Sequence, residues 1–279
     1  MGDSGAPRRR PGTGDSVGAE QLRRRFAGHE PSQGTDTGGT PWQGRQLTST
    51  GFDGDAGAAD PELLEALRAT AAADPADPSG AETQLVERVA SARLLVPVVA
   101  VAGETTEVNG LESDATSDMA AVTLVSPDGQ RALPAFTSLR SLAAWDGTAR
   151  PVPVTAQRAA QAAIQEGCHT IVLDVGSPIT GLLRGSMVWA LAMGRPWVPA
   201  HRDPQVRRGV EAAAAREPDV VRVSLAGGPG GALRLDLALR PGLSPADLQL
   251  LTQRVGERIA LDGEVRARID ALAFSVSGA

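Results

Sequence analysis

The sequence predicts an α/β fold: a mixed sheet flanked by helices, with a smaller C-terminal α/β segment and a disordered N-terminal tail. Short apolar runs rich in Val and Leu, typical of buried strands, alternate with segments whose apolar residues recur at helical spacing. Residues 1–58, in contrast, contain few aliphatic residues and show no periodicity. They cannot bury enough apolar area to offset the entropy of ordering, which predicts the tail.

The elements of the first ordered part begin at Asp60 and Pro61, which suit an N-cap and the first position of a helix. A second helix is expected around residues 85–89. The apolar run 94–102 predicts a buried strand, because it is rich in Val and too short to cross a membrane. Residues 104–117 are polar and predict a loop.

Residues 117–145 predict a hairpin followed by a helix. Strands at 119–125 and 130–136 flank a turn at 126–129, whose proline and glycine suit a type I turn. If that turn closes, Met119 faces Phe136, and Asp118 faces Thr137.

That register places the Asp118 carboxylate beside the start of a helix near Ser138. Unsatisfied N–H groups and the helix dipole favour an anion there. We therefore interpret Asp118, Thr137 and Ser138 as a capping cluster with a stabilising role, rather than as an active site. On this interpretation the Asp118→Ala change costs on the order of 1 kcal/mol of stability.

The rest of the chain predicts further helices and strands in alternation. The expected helices are 156–164, 186–193, 205–215 and 245–261, and the expected strands are 170–175, 220–225, 233–239 and 269–276. The predicted domain organisation is a tail at 1–58, an α/β domain at 59–202 and a smaller α/β domain or subdomain at 203–279.

Composition and charge argue against several functions. The formal net charge of -6 argues against nucleic acid or an anionic membrane as the main partner, because both need a dense basic surface. Cys168 is the single cysteine, so an intramolecular disulfide and a cysteine-based zinc site are excluded. No apolar stretch follows the N-terminal arginine runs as a secretory signal would require, and no later apolar segment is long enough to span a membrane, so we expect a cytoplasmic protein. We expect no metal or cofactor, because the three histidines are scattered along the chain and no phosphate-binding glycine motif is present.

Some residues invite a chemical interpretation. Asp174 ends a predicted buried strand and is followed by a loop containing Ser177, and ligands in open α/β sheets bind beyond the carboxyl ends of strands. No phosphate-binding glycine motif accompanies them.

Adjacent Cys168 and His169 point to opposite faces of a strand, which makes proton transfer between them unfavourable. The run 201–203 is interpreted as a surface linker, and 227–231 as a hairpin connection.

Four segments resemble the SseB family, the enhanced serine sensitivity proteins, in their high-GC bacterial form. They are ADPELLEAL at 59–67, ARLLVPVVAVAGE at 92–104, the stretch 117–154 beginning SDMAAVTLVSPDGQ, and TIVLDVGSP at 170–178. The resemblance implies an α/β domain of the SseB N-terminal type and a role in protein interaction or regulation. It implies no catalytic residue.

Two functional hypotheses follow. The preferred one is a non-enzymatic interaction or regulatory protein whose partner is another protein. Core packing is the default role of Trp145, Trp189 and Trp197, and anchoring a partner is the alternative. The second hypothesis is a small-ligand-binding protein or an enzyme that uses the strand-end loop from Asp174 to Ser177.

Overall fold

The computed structural model describes residues 52, 54–101, 106–108, 111–113 and 118–279. Residues 1–51 and 53 of the predicted tail lie outside the described residues. The helices are α1 (Pro61–Ala71), α2 (Ser79–Ser91), α3 (Leu139–Trp145), α4 (Ala156–Gln165), α5 (Gly185–Ala192), α6 (Pro204–Ala214), α7 (Pro245–Leu261) and α8 (Gly263–Arg266). The strands are β1 (Arg93–Val101), β2 (Thr106–Val108), β3 (Leu111–Ser113), β4 (Asp118–Ala121), β5 (Leu124–Val125), β6 (Arg131–Ala135), β7 (Arg150–Thr155), β8 (Thr170–Leu173), β9 (Gly181–Leu183), β10 (Val220–Gly227), β11 (Leu233–Leu239) and β12 (Leu272–Gly278).

Side-chain caps begin several of these helices where the sequence predicts them. Asp60 accepts hydrogen bonds from the backbone N–H groups of Glu62 and Leu63 at 2.8 and 3.2 Å, and Pro61 occupies the first helical position of α1. Ser138 caps α3 in a reciprocal arrangement with Ser141. Short polar side chains therefore set where these helices start.

The first part of the chain builds a mixed sheet flanked by helices, as predicted. One set of strands runs β4–β1–β7 and another runs β5–β6–β8–β9, with β6 and β8 parallel. An antiparallel bridge joins the two sets, in which Leu95 and Phe136 exchange N–H···O bonds of 2.8 Å each. The core under these strands combines aliphatic side chains of β1, β6 and β8 with those of α1, α2, α4 and α5; its largest fully buried members include Leu63, Leu85, Leu94, Leu133, Ile171, Leu173 and Met187.

The hairpin predicted at 119–136 forms only around its turn. The N–H of Gly129 donates to the carbonyl of Ser126 at 2.9 Å, and β5 pairs with β6 through Leu124 with Ala132. Gly129 has a φ of 81°, so it adds a bulge residue after the turn and shifts the register by one.

The predicted register before Leu124 is wrong. Strand β4 leaves β6 and pairs with β1, which puts Asp118 opposite Val101 rather than Thr137, and Met119 opposite Ala100 rather than Phe136. Because β1 already bridges to Phe136, the edge of β6 that the hairpin would need is occupied. A strand distant in sequence has displaced the local pairing.

The C-terminal part has a sheet of its own, in the order β10–β11–β12, with β10 antiparallel and β12 parallel to β11. Helices α6 and α7 pack on one face of it. The buried side chains of this second core cluster are Val206, Val210, Ala213, Leu233, Leu235, Leu237, Leu239, Leu251, Val255, Ile259 and Val265. The domain boundary between residues 202 and 203 stays a prediction. Among the described residues no helix combines the length and apolarity that crossing a bilayer requires.

Candidate functional site

The parallel pairing of β6 and β8 brings Thr137 and Asp174 together just beyond the ends of both strands. Asp174 is buried, and its two carboxylate oxygens accept from Thr137: Oδ1 from the backbone N–H at 2.8 Å and Oδ2 from the hydroxyl at 2.7 Å. The N–H of Asp174 donates to Ala135 at 2.9 Å. With a φ of 51°, Asp174 has a left-handed backbone, which aspartate tolerates better than most residues.

Arg93 extends this cluster to the segment before α1. Its Nη1 donates to the Thr137 carbonyl at 2.9 Å, and its Nη2 donates to Asp55 Oδ1 and to the Ala58 carbonyl at 2.8 Å each. The hydrogen bond from Arg93 holds the pKa of Asp55 below its ordinary value, although partial burial opposes the shift. The polar groups at this strand end therefore satisfy one another.

The predicted site residues divide into three groups. Thr137, Ser138 and Asp174 are brought together by the structure. Ser177 lies in the following loop, where its N–H donates to the Asp174 carbonyl at 3.0 Å, and its hydroxyl makes no hydrogen bond within the described part of the chain. The side chain of Asp118 is outside the described residues, while its backbone lies in β4 opposite Val101.

The interpretation of Asp118 as the capping carboxylate is therefore wrong. The carboxylate beside the start of α3 belongs to Asp174, which reaches Thr137 from the parallel neighbour strand. Ser138 keeps its predicted role, since its Oγ accepts the N–H of Ser141 at 3.0 Å.

A cleft of about 820 Å³ lies between the first part of α5 and the segment after α8. Leu182 and Trp189 line it, with 52% and 42% of their surfaces exposed. The remaining lining residues are Gln130, Ile164, Gly167, Cys168, His169, Thr170, Arg184, Gly185, Ser186, Val188, Arg266, Ala267, Ile269 and Asp270. The cleft thus combines large exposed apolar side chains with a polar end.

The polar end of the cleft is a buried ionic network centred on Arg184. Its guanidinium binds the Glu82 carboxylate through both terminal nitrogens, and its Nε donates to Asp270 Oδ2 at 3.0 Å. Burial lowers the pKa of Arg184, but the two carboxylates outweigh burial and raise it above its ordinary value. The sequence does not predict this network, because its three members are distant along the chain. The local signal for it is Arg184, a charged residue within an apolar run.

Asp270 also caps the start of α5 from outside that helix. Its Oδ1 accepts the Ser186 N–H at 2.7 Å and its Oδ2 accepts the Ser186 hydroxyl at 2.8 Å. The hydroxyl of Ser186 in turn accepts from Trp197 Nε1 at 3.0 Å. Because Asp270 precedes β12, this contact fastens the C-terminal part of the chain to the first part.

The three tryptophans considered as anchors differ in exposure. Trp145 packs against Phe136 with ring centroids 5.2 Å apart, and Trp197 is buried with the Arg184 guanidinium carbon 5.9 Å from its ring centroid. Trp197 therefore belongs to the buried core, and Trp145 is partly buried against a smaller hydrophobic cluster. Trp189 alone of these three presents much of its ring to the cleft and to solvent.

Cys168 and His169 both line the cleft. The Cys168 thiol is buried, and desolvation raises its pKa despite the nearby positive charge of Arg131, which disfavours the reactive thiolate. The backbone N–H of Cys168 donates to Ala163 at 2.8 Å at the end of α4, so this residue belongs to the helix terminus. The thiol is thus poorly suited to nucleophilic chemistry.

The run 201–203, interpreted from the sequence as a surface linker, forms the end of the short helical turn Ala200–Arg202 and the N-cap of α6. Asp203 accepts the N–H of Gln205 at 2.7 Å at the start of α6, and burial, followed by the charge of Arg202, lowers the pKa of His201. In the described part of the chain, no cluster of three or more His, Cys, Asp or Glu residues is arranged to hold a metal ion.

The glycine-rich connection at 227–231 packs against the ionic network. A Cβ added at Gly231 would come within 2.4 Å of the Arg184 guanidinium, and the φ of Gly231 is 80°. Glycine is required at this position by close packing and by backbone conformation. No phosphate-binding role is needed to explain it.

Comparison with protein-family models matches residues 63–190 to the SseB protein N-terminal domain. Neither curated proteins nor solved structures gave a match to the chain. The matched residues run from α1 into α5, and include the Thr137–Asp174 cluster as well as Leu182 and Trp189 of the cleft. The chain therefore contains an SseB N-terminal domain over residues 63–190.

Proposed function

We propose that this protein is a non-catalytic interaction or regulatory module, and that the cleft beside α5 is the surface on which it binds another protein. The observation that carries the proposal is the exposure of two large apolar side chains, Leu182 and Trp189, on the lining of one cleft of about 820 Å³. Tryptophan is enriched among residues that dominate binding energy at protein interfaces. The partner is expected to insert apolar side chains here.

The polar groups of the cleft support a docking role over a catalytic one. Arg184 and Asp270 are engaged with each other, with Glu82 and with Ser186, so their charges are already compensated. A catalytic acid or base needs a group that is poised to exchange a proton with a substrate. The network instead holds the wall of the cleft rigid, which reduces the entropy lost when a partner binds.

The second hypothesis, a small ligand or substrate at the strand-end loop, has less support. Both carboxylate oxygens of Asp174 are occupied by Thr137, and Arg93 is occupied by Asp55 and by backbone carbonyls. A ligand at this loop would have to displace those bonds or use other groups. Stabilisation of the protein by a metabolite, abolished by Ser177→Ala, would favour this hypothesis.

Quantitative affinity capture from the native host tests the docking proposal. The matched pair is Leu182→Ser and Leu250→Ser, because both leucines are 52% exposed but only Leu182 lines the cleft. We expect the wild-type and Leu250→Ser proteins to capture one defined partner that the Leu182→Ser and Trp189→Ala proteins do not capture. We also expect that partner to bind the purified wild-type protein directly. Capture that is insensitive to both cleft changes, or equally sensitive to Leu250→Ser, would refute the proposal.

A further inference from the structure

The two edges of the C-terminal sheet differ in character. Strand β10 has a bulge between Val220 and Arg222 and carries the exposed charge of Arg222, and the short helical turn Ala200–Arg202 lies against it. Bulges, charges and covering segments are the devices by which proteins prevent an edge strand from pairing with another chain. Strand β12 carries no charged residue, no proline and no bulge in its pairing with β11.

The backbone of β12 offers one complete row of hydrogen-bonding groups to its outer side. The Leu233 N–H donates to Ala271, and the Ala279 N–H donates to Leu239, each at 2.8 Å. In a parallel ladder alternate residues point to the same side, so Ala273, Ser275 and Ser277 bond towards β11. The groups of the even-numbered residues from 272 to 278 therefore point outward, and no strand in the described part of the chain pairs with them.

We propose that β12 pairs antiparallel with β12 of a second copy, about a twofold axis at Ser275, which joins two three-stranded sheets into one of six strands. This register places outward-pointing Phe274 of one copy opposite Val276 of the other, in a pair that exchanges both backbone hydrogen bonds. The side chain of Val276, 44% exposed, is covered in this arrangement by the aromatic ring. Aromatic and β-branched side chains form favourable cross-strand pairs.

The opposite face of β12 is equally self-complementary. Ser275 meets Ser275 of the other copy at the axis, and Ala273 meets Ser277, so small uncharged side chains face one another. On the helix side, the Phe274 ring lies beside Gly256 of α7, since a Cβ added at Gly256 would be 3.8 Å from the ring. Gly256 therefore marks a flank of α7 that lies near β12. Residues that share this flank by helical spacing, Thr252, Gln253 and Ala260, are uncharged. Glu257 lies beside this flank and accepts a hydrogen bond from Gln253 at 2.8 Å.

The twofold register can be tested by exchanging charges at position 275. In a pair of this type the facing Cα atoms are about 4.5 Å apart, and like charges placed there repel. We expect the full wild-type chain to be a dimer in sedimentation velocity over a concentration series. Ser275→Glu and Ser275→Lys are each expected to be monomeric, and an equimolar mixture of the two is expected to form a heterodimer.

Ser277→Glu is the matched control, because it places the same charge on the same exposed face of β12 but opposite Ala273, and it should remain dimeric. Circular dichroism and melting curves establish that each variant is folded. A wild-type chain that is monomeric at every concentration tested overturns the proposal. In that case the free edge of β12 would be available to a strand of a different protein. Dimers that persist in both single-charge variants, or a mixture that stays monomeric, overturn it as well.

Discussion

Asp174 and Thr137 form a buried pair in which one carboxylate accepts both the backbone N–H and the hydroxyl of the threonine, at 2.8 and 2.7 Å. The pair ties the end of β8 to the residue that precedes the N-cap of α3. It depends on the parallel register of β6 and β8, in which Ala135 lies opposite Leu173. A long-range strand pairing thus supplies the acceptor that a local hairpin was expected to supply.

Replacing Asp174 should destabilise the fold in a graded way. Asp174→Ala removes both acceptors and leaves the buried N–H and hydroxyl of Thr137 without partners, so we expect a loss of about 2–3 kcal/mol in the free energy of unfolding. Asp174→Asn retains a carbonyl acceptor and tolerates the left-handed backbone, so its loss should be clearly smaller. Chemical denaturation measures both. Equal losses in the two variants would contradict the assigned role of the carboxylate.

Removing the Asp270 carboxylate should loosen the C-terminal part of the chain from the SseB domain. Asp270→Ala leaves Arg184 with one of its two carboxylates and frees the Ser186 N–H, so a loss of about 2–3 kcal/mol is expected, with faster proteolysis after residue 202. Glu257→Ala is the control, since that exposed carboxylate lies in the same part of the chain and, among the described residues, accepts a hydrogen bond from Gln253 of its own helix. If Asp270→Ala melts and is digested like the wild-type protein, the assigned role of the Asp270 carboxylate is contradicted.

The Glu217 carboxylate should make stability depend on pH in acid. Arg254, assisted by Arg258, holds the pKa of Glu217 below its ordinary value near 4.5, although burial opposes the shift. A lowered pKa means that the stabilisation is complete above pH 4.5 and is lost as the pH falls through the pKa of the folded state.

The Glu217→Gln change tests this dependence. It should reduce the free energy of unfolding by about 1–2 kcal/mol at pH 7, with the difference from wild type shrinking below pH 4.5. Urea titrations at a series of pH values measure it. A difference that is constant from pH 7 to pH 3 would argue against the ionic assignment.

The Cys168 thiol should be protected from alkylation in the folded protein. Burial raises its pKa and so reduces the thiolate fraction at pH 8, and it also blocks access by the reagent. We expect modification by iodoacetamide to follow unfolding, with an apparent rate that increases with denaturant concentration. Alkylation of the native protein as fast as that of a free thiol would show that the site is accessible.

Local signals in the sequence predicted the helices well. Asp60 and Pro61 at the start of α1 and Ser138 at the start of α3 act as expected, because capping depends on residues within one turn. The SseB resemblance, based on ordered apolar and turn segments, was confirmed by the match to residues 63–190.

Contacts between distant segments escaped prediction, and they determine the sites. The pairing of β4 with β1 instead of β6 follows from competition for a sheet edge, which a single hairpin cannot reveal. Arg184 meets Glu82 and Asp270 from 102 and 86 residues away along the chain. Thr137 and Ser138 were predicted to cluster with Asp118, and Asp174 was predicted at a separate strand-end loop. The structure instead joins Asp174 to Thr137 across the parallel strands β6 and β8.

Site-specific photo-crosslinking in the native host tests most directly the proposal that the cleft beside α5 binds another protein. A photoreactive amino acid replaces either Trp189 or Leu182 in the cleft, and Leu250 or Val221 at exposed positions outside its lining. The account predicts that both cleft positions form adducts with the same partner and that the two outside positions do not. No adduct at either cleft position, or the same adducts at all four positions, would contradict it.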